Sequence, residues 1–282
     1  MRRAGILVLG FLLAICCAQP AQAEDPKNKG LFITPLRTYI SVEPSHAQSG
    51  TFTLANNTSN PMSIDLSVGQ FSVADYSYDY QFSQTHDDWV KLSQTQLDLQ
   101  PGKSQILTFS VSPPAKATPG GHYFTIFATA QLQGNASQVR AATVLYVTVE
   151  GALVKSSTIN RTTIPFFSFG TDIDFSMDVK NTGNTHFFTY TSGKLAGLSA
   201  NSDAPESTNL LLPGTSRIIA STIRAPLLPG LYKATFGYRT DGNQQVQRSS
   251  YVLYIPPWSL LIPIGAAWFI YAVRQYRKRR SV

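Results

Sequence analysis

Apolar and polar positions alternate in short runs between Glu24 and Tyr254, and these runs are rich in β-branched and aromatic residues. Such runs between turn residues indicate β-strands, and no long stretch has the 3.6-residue period of an amphipathic helix. Strands are predicted near residues Leu31–Thr34, Thr38–Val42, Gly50–Ala55, Met62–Gln70, Gln105–Val111, Gly121–Leu132, Ala142–Val149, Lys155–Asn160, Asp172–Lys180, His186–Ser192, Arg217–Arg224, Gly230–Arg239 and Gln247–Tyr254. Short strands joined by regular turns are typical of antiparallel β-sandwiches.

The second half of this region repeats turn segments of the first half in the same order. The matches are Phe52–Asn60 with Phe175–Asn184, Leu99–Ser104 with Leu211–Ser216, and Pro119–Thr125 with Pro229–Thr235. They align Asn57 with Asn181 and Tyr123 with Tyr232, and each tyrosine is expected to point inward and bond across a loop end. We therefore expect an all-β fold of two tandem immunoglobulin-like (Ig-like) sandwiches, over residues 24–152 and 153–254.

The first 23 residues have the pattern of a secretory signal peptide. A basic start at Arg2 and Arg3 precedes an apolar run and the small-x-small sequence Ala21-Gln22-Ala23. The alternative is an uncleaved N-terminal anchor, but the apolar run is shorter than the ~20 residues that span a bilayer. Cleavage before Glu24 would remove both cysteines and leave a chain without thiols or disulfides.

Residues 255–273 carry no charge and predict one transmembrane α-helix. The basic residues that follow it, residues Arg274, Arg277, Lys278, Arg279 and Arg280, predict a cytoplasmic tail over residues 274–282. The sequence thus predicts a single-pass protein of the cell membrane, with its N-terminal domains outside and its C-terminal tail in the cytoplasm.

The formal net charge of +7 comes from the two ends of the chain. All 16 acidic residues and 16 of the 23 basic residues lie within residues 24–254. Because this region is formally neutral, the basic pI is no evidence for a nucleic-acid partner, which would require a basic face on the folded part.

Candidate chemistry is sparse. His46, His86, His122 and His186 lie in separate predicted elements without the spacing of a metal site. The sequence has no nucleophile elbow, phosphate-binding glycine loop or HExxH zinc motif. We therefore expect no enzyme activity, no cofactor and no bound metal.

One aromatic stripe is a candidate binding surface. Tyr76, Tyr78, Tyr80 and Phe82 alternate with polar residues, so an extended segment would place all four rings on one face. Aromatic rings stack on sugars and contribute strongly to protein interfaces. The stripe is therefore a candidate glycan or protein contact, and the alternative is that it covers an edge or open face of the first sandwich.

Four segments together resemble the N-terminal domain of the bacterial WxL-associated surface proteins. They are Asn56–Pro61, Trp89–Leu92, Leu99–Ser104 and Thr118–Tyr123. The resemblance implies a peptidoglycan-binding Ig-like domain, a second Ig-like domain that binds a host or partner protein, a membrane helix and a basic tail.

The leading interpretation is a membrane-anchored cell-surface protein with a non-catalytic binding or structural role, which contacts cell-wall glycan or another surface protein. The alternative is a membrane-tethered chaperone or assembly factor for surface fibres, which would pair a partner strand with an exposed sheet edge. A long unpaired hydrophobic edge would favour that alternative. A third interpretation, an anchored hydrolase, requires clustered carboxylates in a cleft.

Overall fold

The computed structural model describes residues 30–85, 87–132, 138–197, 201–242 and 244–280. The predicted signal peptide, residues 1–23, lies outside these residues. The described chain is all-β except at its C-terminal end, as the alternating pattern predicted, and its strands form four sheets. Two of the sheets face each other in each of two tandem sandwiches.

The first sandwich contains a sheet of order β1-β3-β8-β6 and a sheet of order β2-β10-β9-β4-β5, in which β7 also pairs with β4. Its strands are β1 (Leu31–Thr34), β2 (Arg37–Val42), β3 (Gln48–Asn56), β4 (Met62–Val73), β5 (Tyr80–Gln84), β6 (Val90–Leu92), β7 (Gln96–Leu99), β8 (Ser104–Val111), β9 (Gly120–Leu132) and β10 (Gln138–Val149). The chain crosses from one sheet to the other between β1 and β2. As a result, β2 pairs in parallel with only the second half of β10, from Val144 to Val149.

The second sandwich contains a sheet of order β11-β13-β17 and a sheet of order β12-β19-β18-β14-β15, in which β16 also pairs with β14. Its strands are β11 (Ser157–Thr163), β12 (Phe167–Phe169), β13 (Asp172–Asn181), β14 (Phe187–Ala196), β15 (Asn201–Asp203), β16 (Ser207–Leu211), β17 (Ser216–Arg224), β18 (Gly230–Thr240) and β19 (Gln245–Ile255). The last strand, β19, has the same kind of neighbour as β10: β12 runs parallel to only the end of β19, from Leu253 to Ile255.

Alternation along the strands produces one apolar core in each sandwich. The burial pattern of β3 and β13 alternates buried with exposed or half-buried positions, so their inward side chains, such as Phe52 and Phe175, lie in the cores. Phe175 is 1% exposed and stacks on Phe236 with ring centroids 5.9 Å apart. Burial of such residues is the main favourable contribution to folding.

A buried asparagine marks the same turn in both sandwiches. Asn56 Nδ2 donates to the carbonyl oxygens of Asn60 (2.8 Å) and Leu99 (2.9 Å). Asn181 Nδ2 donates to the carbonyl oxygens of Thr185 (2.9 Å) and Leu211 (3.1 Å). The structural equivalent of Asn181 is therefore Asn56, one residue before the position that the sequence match paired with it.

The sequence match of Tyr123 with Tyr232 is also displaced by one residue. Tyr232 donates its hydroxyl hydrogen to the Leu228 carbonyl at 2.9 Å, as expected for a corner tyrosine. In the first sandwich this position is held by His122, whose Nε2 lies 2.9 Å from the Thr118 carbonyl. Tyr123 consequently points to the opposite face of the sheet and lies between the two sandwiches, contrary to the sequence prediction.

The predicted membrane span over residues 255–273 is wrong. Within it, β19 ends at Ile255, a 3-10 helix covers Pro257–Leu260, and α1 (Leu261–Arg280) begins only at Leu261. The apolar part of α1, residues 261–273, covers about 20 Å at 1.5 Å per residue, whereas the hydrocarbon core of a bilayer is about 30 Å thick. No helix in the described residues is long and apolar enough to cross a membrane.

The predicted localisation in the cell membrane, as a single-pass protein with a cytoplasmic tail, is therefore wrong as well. The basic residues assigned to that tail, residues Arg274, Arg277, Lys278, Arg279 and Arg280, belong to α1 itself. The lack of charge over residues 255–273 predicted one continuous helix. In the structure, Pro256 and Pro257 follow β19 and delay the start of α1.

Candidate functional site

The predicted aromatic stripe does not lie on one face of an extended segment. Tyr76 and Tyr78 lie in the turn between β4 and β5 with positive φ angles of 66° and 58°, a region that residues other than glycine rarely adopt. Tyr80 and Phe82 lie on β5, and their rings stack with centroids 5.9 Å apart. The structure thus separates the four residues into a turn pair and a strand pair.

The turn that holds Tyr76 contacts the second sandwich. The Ser216 N–H donates to Asp75 Oδ1 at 2.8 Å, and the Tyr76 N–H donates to the Ser216 carbonyl at 2.9 Å. The Tyr76 hydroxyl donates to Asp178 Oδ2 at 3.2 Å. Main-chain and side-chain bonds therefore join the β4–β5 turn to the start of β17.

Tyr78 makes the second contact of this turn. Its hydroxyl oxygen lies 2.7 Å from Thr215 Oγ1 and accepts the Leu212 N–H at 3.3 Å. The Arg217 guanidinium carbon lies 4.4 Å from the centre of the Tyr78 ring. Burial raises the pKa of the Tyr78 hydroxyl above its ordinary value. The structure gives Tyr76 and Tyr78 a place between the sandwiches, and ligand binding by the stripe stays a prediction.

Replacing Tyr78 by phenylalanine is expected to lower the free energy of unfolding by about 1 kcal/mol, because the Leu212 N–H and the Thr215 hydroxyl lose a half-buried partner. Urea unfolding measures this change. The matched variant is Tyr76→Phe, whose hydroxyl makes one exposed bond, to Asp178 at 3.2 Å; its expected effect is within about 0.5 kcal/mol. Equal effects of the two substitutions would contradict the assignment of Tyr78 as the main contact of the turn.

An aromatic cluster fills the space between the two sandwiches. We define the interface cluster by Tyr39, Phe71, Tyr123, Tyr146, His186 and Phe188. Tyr146 lies at its centre: its ring stacks on Tyr39 with centroids 4.8 Å apart and meets Phe71 edge-on at 5.3 Å. The Tyr146 hydroxyl lies 3.0 Å from the hydroxyl of Tyr80. The outer face of the β10 sheet is therefore covered by the second sandwich at this end.

A second set of bonds joins the sandwiches through Asn184. Its Nδ2 donates to the carbonyls of Pro119 (3.1 Å) and Ala152 (2.9 Å), while its Oδ1 accepts the Val154 N–H at 2.8 Å. The Asn184 carbonyl accepts the Gly121 N–H at 2.9 Å. One side chain thus contacts the first sandwich and the connection between the two sandwiches.

The first half of β10 has an open edge. In the described residues, β10 pairs with β9 along its whole length, but no strand pairs with its other side before Val144. Val144 donates its N–H to Leu36 and Glu150 donates its N–H to Val42, so even-numbered residues of β10 direct their backbone groups toward the side that β2 occupies. The N–H and C=O groups of residues 138, 140 and 142 therefore face the open side.

Apolar side chains accompany this open edge. Val139 and Ala141 point inward and pack against the core of the first sandwich, where they remain half-buried. Arg140, the one charged residue of β10, points to the outer face instead. The chain between β1 and β2 lies beside the end of this segment, where the Thr143 hydroxyl donates to the Pro35 carbonyl at 2.7 Å. A strand placed beside residues 138–142 would find free main-chain partners and an unfinished apolar layer.

The equivalent edge in the second sandwich has a different character. The last strand, β19, is unpaired on one side before Leu253 in the described residues, but its open part is almost entirely exposed. Val252 and Tyr254 lie in the core, so Arg248 stands on the same inward-facing side of β19. An inward-pointing charge on an edge strand discourages the addition of another strand. Of these two equivalent edges, only β10 is suited to strand pairing.

The sequence prediction missed the open edge because its strand began at Ala142. Residues 138–141 belong to β10, since they pair with residues 128–131 of β9. The sequence contains a signal for this extension: Val139, Arg140 and Ala141 continue the alternation of β10. Pairing on the far side of the strand depends on where β2 begins, which is a property of the folded chain.

A groove lies on the outer face of the same sheet over β9, β4 and β5, on the side of β10 away from the open edge. It has a volume of 490 Å³ and its lining includes Gly69, Phe82, Phe127 and Arg140. The Arg140 guanidinium carbon lies 3.5 Å above the centre of the Phe127 ring. A Cβ atom at Gly69 would lie 2.7 Å from the Ser83 carbonyl and 3.0 Å from that ring, so glycine here leaves room for Phe127.

The described residues contain no group of three or more His, Cys, Asp or Glu side chains placed to hold a metal ion. A separate cleft of 320 Å³ between the sandwiches is lined by Arg37 and Arg217 together with Tyr80 and Tyr146. Its charged side chains are cationic. A hydrolase that uses paired carboxylates would require acidic groups at such a position, so the cleft gives the hydrolase interpretation no support.

No protein-family model and no curated protein matches the sequence. Among solved structures, the crystal structure of the YadV chaperone is 12% identical, with 78% of this chain and 98% of that chain covered and a TM-score of 0.41. The E. coli chaperone DraB is 12% identical, with coverage of 79% and 98% and a TM-score of 0.40. The CsuC–CsuE chaperone–tip adhesion subunit complex of Acinetobacter baumannii Csu pili matches at 11% identity, with coverage of 80% and 99% and a TM-score of 0.41.

The relationship to WxL-associated surface proteins that the sequence suggested is wrong. No family model supports it. The membrane-anchored, cell-wall-binding role implied by that resemblance is wrong as well. Two of the segments that carried the resemblance meet in the fold, where the Asn56 side chain donates to the Leu99 carbonyl.

Proposed function

We propose that the protein is a non-catalytic assembly factor that binds an extended segment of a partner protein along the open edge of β10. The carrying observation is that, within the part of the chain that the structure describes, residues 138–143 have no neighbouring strand on the side where β2 later pairs with the same strand. The bound segment would occupy this position as an additional strand, in line with β2.

Strand addition uses the backbone for affinity and side-chain positions for selectivity. Residues 138, 140 and 142 each offer an N–H donor and a C=O acceptor toward the open side. Side chains of the added strand that point inward would lie beside Val139 and Ala141 and extend the apolar layer. Both contributions favour a partner segment in which every second residue is apolar.

This mode of binding explains how the protein would act as an assembly factor. An unpaired strand on a partner protein exposes a row of main-chain donors and acceptors and is prone to aggregate. Pairing with β10 would satisfy that row until the partner finds its final neighbour. The interface cluster and Asn184 join the second sandwich to the first without contacting the open part of β10.

The substitution Ala142→Pro tests the proposal. Its N–H faces the open side, so proline would remove one donor and place its ring where the partner strand would bind, without removing a bond to β9. We expect the full chain to select ten-residue peptides from a displayed random library, and Ala142→Pro to reduce their binding about tenfold or more. Urea unfolding should show that the variant remains folded, with a loss within about 1 kcal/mol.

The matched control is Ser249→Pro on β19. Leu253 donates its N–H to Phe166 on the β12 side, so the odd-numbered Ser249 also directs its N–H to an open edge. This variant is expected to bind the selected peptides as the unchanged chain does. Unchanged binding by Ala142→Pro, or equal loss in both variants, would refute strand addition at β10.

A further inference from the structure

We infer that Arg140 selects the partner strand by charge, so that the preferred segment carries an acidic residue between two apolar residues. This inference rests on the proposed strand addition and specifies the chemistry of the partner. Arg140 is the only charged residue in the open part of β10, residues 138–143. It therefore determines the charge that the added strand meets directly.

The position of Arg140 fixes which partner side chain it meets. Even-numbered residues of β10 point outward, because Val144 and Tyr146 lie in the cluster between the sandwiches while Leu145 and Val147 lie in the core. Directly opposite residues of neighbouring strands project from the same face, with Cβ atoms about 4.5–5.5 Å apart. The partner residue opposite Arg140 thus points outward, and its two neighbours point inward beside Val139 and Ala141.

The guanidinium group of Arg140 rests on an aromatic ring of β9. It lies 3.5 Å above the centre of the Phe127 ring, and Phe127 in turn meets Phe82 edge-on with centroids 5.2 Å apart. Among the described residues, no carboxylate forms an ion pair with Arg140. Because Phe127 belongs to β9, the guanidinium leans away from the open edge, and an incoming carboxylate would draw it back across β10 at the cost of this ring contact.

A second cation extends the same preference. Arg37, the first residue of β2, pairs with Val144 and is exposed at the end of the open segment. On the outer face, the position beside the open segment therefore has Arg140 along its side and Arg37 at its end. A lysine or arginine on the outer face of the partner strand would meet like charge, which disfavours such a segment.

Synthetic peptides test the selectivity. Acetylated, amidated ten-residue peptides of alternating valine and serine are made with the central serine replaced by glutamate, glutamine or lysine. By fluorescence anisotropy with the full chain at low salt, the glutamate peptide is expected to bind about three- to tenfold more tightly than the lysine peptide. The difference should shrink as the salt concentration rises.

Variants of Arg140 complete the test. Arg140→Glu should reverse the order of the glutamate and lysine peptides, and Arg140→Gln, which keeps a polar side chain without the charge, should abolish the difference between them. The control is Arg248→Glu on β19, which should keep the original order. Equal binding of all three peptides by the unchanged chain would overturn charge selection and leave strand addition standing. Absence of binding for every peptide would overturn both.

Discussion

Replacing Tyr146 by alanine is expected to lower the free energy of unfolding by about 3–5 kcal/mol, the usual range for truncating a large buried ring. Tyr146 is 2% exposed, and its ring contacts Tyr39, Phe71 and Tyr123. The surrounding rings belong to three strands and cannot close the resulting cavity without losing their own contacts. Urea unfolding, monitored by near-ultraviolet circular dichroism, measures the loss.

Two further variants separate packing from hydrogen bonding in this prediction. Tyr146→Phe removes only the hydroxyl that lies 3.0 Å from Tyr80 and is expected to lose about 1 kcal/mol. Tyr251→Ala truncates a tyrosine that is 57% exposed on the second sandwich and should change the free energy by no more than about 0.5 kcal/mol. A loss for Tyr146→Ala as small as that of Tyr251→Ala would contradict a packed interface between the sandwiches.

Tyr146 lies on the same strand, β10, as the open edge. Its side chain holds the second sandwich, while the open edge lies four residues earlier at Ala142. If the two regions are independent, Tyr146→Phe should bind strand-forming peptides as the unchanged chain does. The stability of the interface and the availability of the edge are thus measured on one strand by different experiments.

The core strands could be predicted from the sequence because their alternation is a local property. Strands such as β3, β8, β13 and β17 have one face in a core, and the period of two is visible in the residues themselves. Short edge strands were missed. The three-residue strands β6 and β12 are too short to show a period, and they exist only through pairing with β8 and β19.

The candidate site was harder to predict because it depends on pairing and turn geometry. Alternating aromatics at Tyr76, Tyr78, Tyr80 and Phe82 predicted one face, but positive φ angles at the first two residues turn the chain instead. The turn is stabilised by Asp75 and Ser216, which are far apart in sequence. A one-residue error in matching the repeats likewise placed Tyr123 in the core, because neighbouring residues of a strand point to opposite faces.

Lowering the pH from 8 to 5 is expected to destabilise the protein by about 2 kcal/mol through His186 alone. Its side chain is buried between the sandwiches, and burial, followed by the positive charge of Lys155, lowers the pKa of His186 to about 4, while Asp241 acts in the opposite direction. Its Nδ1 lies 3.3 Å from the Tyr123 hydroxyl, and the rings of Tyr39 and Tyr146 pack against it.

The loss of stability at lower pH follows from the two pKa values of His186, in the folded and in the unfolded chain. In the unfolded chain the imidazole takes up its proton near pH 6.5, whereas in the folded protein it remains neutral to about pH 4. The unfolded state therefore binds more protons between these values, and the stability that is present above pH 6.5 is lost as the pH falls through this window. Below about pH 4 both states are protonated and the contribution of His186 no longer changes.

His186→Gln isolates this contribution from that of the carboxylates. Urea unfolding of the unchanged chain and of the variant is measured at several values between pH 8 and pH 4.5, and the unchanged chain should lose about 2 kcal/mol more than the variant by pH 5. His46→Gln is the matched control, because His46 is an exposed histidine in a turn of the first sandwich, and it should follow the unchanged chain. Parallel curves for the unchanged chain and His186→Gln would show that the imidazole is not held neutral between the sandwiches. A steeper loss in the unchanged chain would show that protonation of one buried ring weakens the contact between the two sandwiches.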